Sequence, residues 1–317
     1  MDKNNALPAN TKVDEYIIDK ILGGGGFSIV YNAHHQQTGT PVVIKEYMPQ
    51  KLAKRNGKLH VVSISEKEEA SFNKGQKLFF QEASSLALLK HKNIVNVITF
   101  FPANGTTYMV MDEVKGINLQ SYIKKYNGNL SEKLLRIVFR ETLSALALIH
   151  EHKMLHLDIK PGNIHLRQGG IPMLLDFGAV RETKGSRLFD NRIVATPGFA
   201  PLEQITDRGY MGPWTDIYAL GSTIRSCIDG FPPPPSNERS QDEHMKSAVD
   251  AFKDNYSPGF LNIIDWTMEI DPEARPQNCK TLIEEIDKLP EYIKPEPVKK
   301  SLLDKLTGGI FKKTNHK

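Results

Sequence analysis

The sequence predicts an α+β protein of two lobes: a small antiparallel sheet joined by one long helix, then a larger helical lobe. Three observations predict it. Strand-like apolar stretches broken by glycine and hairpin turns fill the first third of the chain. After Lys115-Gly116 the apolar residues recur at helical spacing instead. The chain has 317 residues, enough to bury the core of one large domain or two lobes.

The elements follow in order. Residues 1–14 read as a flexible lead-in. YIIDKIL and FSIVYNAHH are strand-like, with glycines between them, and QTGTP is a hairpin turn before VVIKEY. Residues 46–75 are polar and Lys-rich and read as an insert. Within them LAKRNGKLHVV carries Asn56-Gly57, the signature of a two-residue hairpin turn. KLFFQEASSLALLKH, residues 77–91, is apolar at helical spacing, and ANGTTYMVMDEV reads as a hairpin ending in a buried strand. In the second lobe SEKLLRIVFRETLSALALIHEH opens on a Ser131 cap. PWTDIYALGSTIRSCI, SPGFLNIIDWTMEI and CKTLIEEIDKL are further helices. The boundaries expected are 15–112 for the small lobe, 113–290 for the large one, and 291–317 for a basic amphipathic tail.

Composition excludes several classes. Net charge is +4, from 41 basic and 37 acidic residues, too small an excess to argue for nucleic acid. Two cysteines in unrelated contexts fit a reducing compartment and speak against a disulfide framework or a zinc site. The first residues carry no secretory pattern, and no apolar run reaches the length of a membrane span. A cytoplasmic setting is expected.

Two groups of residues carry chemistry. GGGGFSIVY places Gly23, Gly25 and then Ser28 at the positions of a G-x-G-x-x-G pattern. Glycine lets backbone N–H groups approach phosphates closely. These glycines lie between two strands rather than between strand and helix, which suits a loop folded over ATP more than a dinucleotide fingerprint. Lys45 ends the strand VVIK, where it would point into a dry cleft and need an anion, with Glu82 as a possible carboxylate partner. The second group is DIKPGN and LLDFG, with Asn163 and Asp176 separated by 13 residues. Asp158 could accept a hydroxyl proton, Lys160 could neutralise a transferring phosphoryl group, and Asn163 and Asp176 offer hard oxygen ligands for Mg²⁺. Alone, each of these has a plainer reading: a helix cap, a turn residue, a solvated lysine. The ordered set is stronger than its members.

With these motifs in order, and with EYMP, LKHKNIVNV, TPGFAPLEQ, GPWTDIYALG and DPEARP between and after them, the chain from about Tyr16 to Leu289 resembles a eukaryotic-like protein kinase domain. It is most similar to the bacterial serine/threonine kinases of that two-lobed fold. The resemblance implies transfer of the ATP γ-phosphate to Ser or Thr hydroxyls of protein substrates, with ATP and Mg²⁺ as cofactors. It implies that Gly23, Gly25 and Ser28 frame the phosphates, Val30 and Val43 roof the adenine, and Met111 is the gatekeeper. The backbone of Asp112 and Val114 would bond adenine, Asn118 would lie near the ribose, and His165 would floor the adenine where an apolar residue is usual. Lys45 would hold phosphates and pair with Glu82. Asp158 would be the catalytic base, Lys160 a γ-phosphate contact, and Asn163 and Asp176 the Mg²⁺ ligands. His156, Phe177, Leu86 and Val97 would stack between the lobes, Asp216 would brace the catalytic loop, and Glu203 would pair with Arg275.

Departures from the family pattern carry information too. Leu157 stands where an Arg usually reads an activation-loop phosphate, so activity is expected without that phosphate. The alternative is that Arg181, Arg187 or Arg192 reads a phosphate on Thr183 or Ser186 instead. Gly162 and Ser226 stand where acids often select basic substrates. Rival readings are a pseudokinase acting as a binding module and a small-molecule kinase. Lys45, Asp158, Asn163 and Asp176 speak against the first, TPGFAPLEQ and DPEARP against the second. From Lys45 to Glu82 is 37 residues, longer than most such domains need, so the insert could position the helix or dock a partner. FPPPPSNERS suits a polyproline spacer. The basic tail could touch acidic lipid, a partner or the domain itself.

Overall fold

The computed structural model describes residues 5–176, the backbone of 181–182, and residues 195–206 and 210–291. Phe177, the activation-loop residues Thr183, Ser186, Arg187 and Arg192, the side chain of Arg181, and the tail beyond residue 291 lie outside the described residues.

Six antiparallel strands form the sheet of the first lobe: β1 (Lys12–Val13), β2 (Tyr16–Gly24), β3 (Ser28–His35), β4 (Pro41–Tyr47), β7 (Val97–Ala103) and β8 (Thr106–Asp112), in the order β1-β2-β3-β4-β8-β7. Alternation sets its two faces. On β4, Val42 and Ile44 point into a core with Ile29, Tyr31 and Val110, while Val43 and Lys45 share the opposite face. The β7–β8 turn is Asn104-Gly105, both at positive φ (48° and 72°), the two-residue turn that suits a twisted hairpin.

The stretch expected to be an insert is more ordered than its polarity suggests. Glu46 and Tyr47 complete β4, and helix α1 runs Glu66–Ala87, eleven residues earlier at its start than the apolar pattern predicts. Its first turns are exposed and carry Glu66, Glu68 and Glu69, which favour a helix N-terminus but leave no apolar period to read. Only Phe72, Gly75, Phe79, Ala83 and Leu86 are buried, at helical spacing. Between β4 and α1 lies the hairpin β5 (Ala53–Arg55) and β6 (Val61–Ser63). The turn is not the two-residue one expected at Asn56-Gly57. Five residues connect the strands, Leu59 rather than Gly57 takes positive φ (62°), and the Asn56 side chain accepts from the N–H groups of Lys58 and His60. An Asn bonding its own turn competes with the tighter hairpin.

The second lobe packs α3 (Glu132–Glu151), α5 (Pro213–Asp229), α8 (Pro258–Thr267) and α9 (Cys279–Lys288) around a shared core. Helix α5 is buried almost end to end, and two of its buried polar side chains, Asp216 and Arg225, are held by hydrogen bonds. Ser131 caps α3 by accepting from Leu134 N–H, as the sequence predicts. Four short strands, β9 (Ile117–Asn118), β10 (Met154–Leu155), β11 (Ile164–Leu166) and β12 (Pro172–Leu174), line the floor between the lobes, and β13 (Arg181–Glu182) pairs with β10. Helix α2 (Leu119–Tyr126) follows β9, and α4 (Leu202–Ile205), α6 (Ser236–Gln241) and α7 (Ala248–Phe252) complete the lobe. SNERS of the proline-rich stretch is thus the start of a helix rather than a spacer. No helix among the described residues is long and apolar enough to cross a membrane.

Candidate active site

Strand pairing puts four of the expected residues on one surface. Val30 on β3 and Met109 on β8 both lie opposite Lys45, and Met111 lies opposite Val43. Residues directly opposite in antiparallel strands share a face, so Val30, Val43, Lys45 and Met111 look the same way. The Lys45 ammonium donates to Asp176 Oδ1 at 2.7 Å and stands 3.8 Å from Glu82 Oε1 of α1, with its side chain only 10% exposed. Burial alone would lower its pKa. Asp176 and Glu82, with Asp158 further off, more than offset this and hold the ammonium above its ordinary value.

Below it lies the turn from β10 to β11. Both oxygens of Asp158 accept from Lys160 Nζ at 2.8 Å, Oδ2 also from Asn163 Nδ2 at 2.8 Å, and Oδ1 from the Thr196 hydroxyl at 3.0 Å. Lys160 Nζ reaches Thr196 Oγ1 as well, at 3.1 Å. With its nitrogen held by Asp158, the Asn163 amide directs its oxygen the other way. Asn163 carbonyl in turn accepts from Leu175 N–H, which seats Asp176 beside it.

The turn is held from beneath. Asp216 of α5 is fully buried and accepts from His156 N–H at 2.9 Å, Leu157 N–H at 2.8 Å and His150 Nε2 at 2.8 Å. Burial would raise Asp216, but these bonds and the neighbouring imidazoles more than offset it, and its pKa sits below the ordinary value. Burial pushes the His156 imidazole below its ordinary value. Leu157 takes positive φ (61°), and it lines a small cavity together with Asp158, Ile159, Thr196, Phe199, Ala200, Gln204 and Ala219. Gln204 Nε2 donates to Leu157 O at 2.7 Å. Glu203 receives both arms of Arg275, at 2.8 and 3.1 Å, and the Thr215 hydroxyl at 3.0 Å.

Other expected residues have quieter placements. Gly23 and Gly25 have open space where a side chain would project, as does Gly26. Ser28 opens β3, its carbonyl accepting from Gly25 N–H at 2.9 Å. Asp112 N–H donates to Asn96 O at 3.1 Å, so contact from Asp112 to a ligand would use its carbonyl. Val114 packs half-buried against the core beside the junction of the lobes. The Asn118 amide is used within the protein at both ends: Oδ1 caps α2 at Gln120 and Ser121, and Nδ2 donates to Gly162 O at 2.6 Å. His165 on β11 sits between buried Ile164 and Leu166, opposite Asn118 and Met173. Its Nδ1 has no partner among the described residues, and burial lowers its pKa.

The donor set suits a nucleotide with a divalent cation. Glu82, Asp158 and Asp176 supply three carboxylates against the two ammoniums of Lys45 and Lys160, so the wall carries an excess of negative charge and hard oxygens. The glycine-lined edge opposite is open where side chains would project.

A family model for the protein kinase domain matches residues 16–286. The chain belongs to the protein kinase family. Relatives of this kinase domain include serine/threonine-protein kinase PknA of Nostoc sp., 28% identical over 283 residues that cover 86% of this chain and 46% of the relative. Serine/threonine-protein kinase D of Synechocystis sp. is 33% identical over 223 residues, 67% of this chain and 40% of the relative. The chain thus spans about half or less of the length of these relatives. Among solved structures, one titled "PpkA-294 apo form" superposes with a TM-score of 0.79 at 37% identity, over 89% of this chain and 99% of that one. The two-lobed kinase fold and the eukaryotic-like serine/threonine family expected from the motifs are therefore established.

Sequence reasoning missed Glu46, Arg55, Gln50, His150 and Gln204. Only Glu46 left a signal. It follows Lys45 on a strand whose other side is apolar, so its carboxylate had to be buried and had to find a partner.

Proposed function

We propose that this chain transfers the γ-phosphate of ATP to Ser or Thr hydroxyls of proteins, with Mg²⁺. The observation that carries the reading is the single wall on which Lys45, Glu82, Asp158, Lys160, Asn163 and Asp176 converge. Asp158 orients the acceptor hydroxyl and takes its proton, while Lys160, already bonded to Asp158 and Thr196, lies in reach of the phosphoryl group. Lys45, kept charged by two carboxylates, holds the phosphates once Asp176 turns to the cation. Asn163 Oδ1 and Asp176 would hold Mg²⁺, which neutralises phosphate charge when bound. Val30, Val43, Met111 and His165 enclose the base, and the carbonyl of Asp112 and the backbone of Val114 bond its edge. Asn118 acts by fixing the catalytic loop through Gly162.

Activity is independent of an activation-loop phosphate. Leu157 cannot read one, and the 196–204 segment is tied to the catalytic loop by the bonds of Gln204 to Leu157 O and of Thr196 to Asp158. Gly162 and Ser226 offer no carboxylate to a basic peptide, so Arg at −2 or −3 is not favoured. The test is transfer of label from γ-labelled ATP to a generic protein acceptor, followed by phosphoamino-acid analysis and repeated after phosphatase treatment. Phosphoserine or phosphothreonine, Mg²⁺-dependent and formed at similar rates before and after treatment, is expected. A large drop after phosphatase overturns the independence from phosphate. A peptide array dominated by Arg at −2 or −3 overturns the substrate preference.

A further inference from the structure

The glycine-rich loop is tethered by its carbonyls. Met48 N–H donates to Phe27 O at 2.9 Å, Gln50 N–H to Gly26 O at 3.0 Å, and Gln50 Nε2 to Gly25 O at 3.1 Å. These bonds continue the β3–β4 pairing beyond its last partners, Ser28 and Tyr47. Nothing packs where side chains would stand at Gly23, Gly25 or Gly26, and Phe27 at the tip is 44% exposed. The loop is thus held from the insert rather than by side-chain packing of its own.

The anchor on the other side is firm. Pro49 O accepts from Leu52 and Ala53 N–H, which turns the chain into β5. Arg55 of β5 donates to Glu46 Oε2 at 2.6 Å, to Leu59 O at 2.7 Å and to Asn5 O at 2.9 Å. Tyr31 and Tyr108 hydroxyls each donate to Glu46 at 2.7 Å, and Ile64 N–H bonds Leu52 O just before α1 begins. One short segment therefore connects the loop that faces phosphates with the strand of Lys45 and the helix of Glu82.

We propose that residues 48–50 are a positioning element for the glycine-rich loop, with Gln50 its positioning residue. By taking the carbonyls of Gly25, Gly26 and Phe27, the segment turns them from the anion and leaves the N–H groups of Gly26 and Phe27 to face it, that of Gly25 being held by Ser28 O. The insert then sets how the loop lies over a triphosphate. This rests on the ATP reading above.

The experiment uses the full chain with Gln50→Met, which keeps the volume and removes the donor, and Gln50→Glu, which replaces the donor by an acceptor. Each is titrated with a non-hydrolysable ATP analogue plus Mg²⁺ and, separately, with adenosine. Amide exchange of residues 47–52 is followed without nucleotide. Loss of one hydrogen bond predicts about threefold to tenfold weaker binding of the ATP analogue. Adenosine affinity should stay within about twofold, and exchange at Met48 and Gln50 should quicken. Equal losses for adenosine and the triphosphate, or faster exchange with unchanged triphosphate affinity, overturn the proposal and leave the phosphotransfer reading standing. A wild-type chain that binds no triphosphate overturns that reading itself, before any variant is compared.

Discussion

Arg55→Leu is the most informative change outside the catalytic wall. The Glu46 side chain is 0% exposed and that of Arg55 2%. Removing one partner of a buried ion pair costs roughly 3–5 kcal/mol, because the remaining charge is left without its counter-ion. Two tyrosyl donors at 2.7 Å still serve Glu46, which argues for the low end of that range. Against this, the Arg55 bonds to Leu59 O and Asn5 O are lost as well, at about 1 kcal/mol each. The sum is about 5 kcal/mol. At about 2–4 °C per kcal/mol for a domain of this size, Tm should fall by roughly 10–20 °C. Thermal unfolding followed by circular dichroism measures it, with exposed Lys54→Leu as the neighbouring control. The double variant Glu46→Leu with Arg55→Leu removes the stranded charge and should be less unfolded than the sum of the single changes. A fall under about 2 °C for Arg55→Leu, or strict additivity in the double variant, would refute the reasoning.

Other outcomes follow from the same contacts. Leu157→Ala enlarges the cavity beside Phe199 and Ala219 and should cost about 2–4 kcal/mol in chemical denaturation, without creating a dependence on phosphorylation. Asp216→Asn weakens the bonds that hold His156 and Leu157 N–H, so kcat should drop by at least about tenfold while the ATP analogue still binds within about threefold. Burial lowers His156, His91 and His165 below their ordinary value of 6.5, so the unfolded chain binds more protons than the folded one as pH falls past that value. Stability is fully present above it, and Tm should decline between pH 7 and pH 5. The decline should be shallower in His156→Phe.

The fold was legible because the strands show period two and the helices about 3.6, with one helix among the strands before Gly116 and helices prevailing after it. The catalytic wall was legible because its members come as an ordered series of short motifs. What was hidden lies where polar residues meet polar residues. The start of α1 at Glu66 has no apolar period to announce it. The Asn56-Gly57 pair looks like a tight turn, yet the Asn56 side chain bonds within its own loop and lengthens it. Arg55 reads as one more basic residue in a Lys-rich excursion, since its partner Glu46 lies nine positions back on another strand. Two of the three bonds from residues 48–50 to the glycine-rich loop, Met48 N–H to Phe27 O and Gln50 N–H to Gly26 O, are backbone pairing, for which residue type carries little signal.

The central claim is that Asp158, set by Lys160, Asn163 and Thr196, serves phosphoryl transfer. Single-turnover incorporation of label from γ-labelled ATP into a protein acceptor, wild type against Asp158→Ala at saturating Mg²⁺, tests it most directly. The account predicts that the variant still binds the ATP analogue while transfer falls by about 10²–10⁴-fold, the usual contribution of a positioned acid–base group. Wild-type labelling no higher than that of Asp158→Ala would contradict it and leave the fold as a binding module.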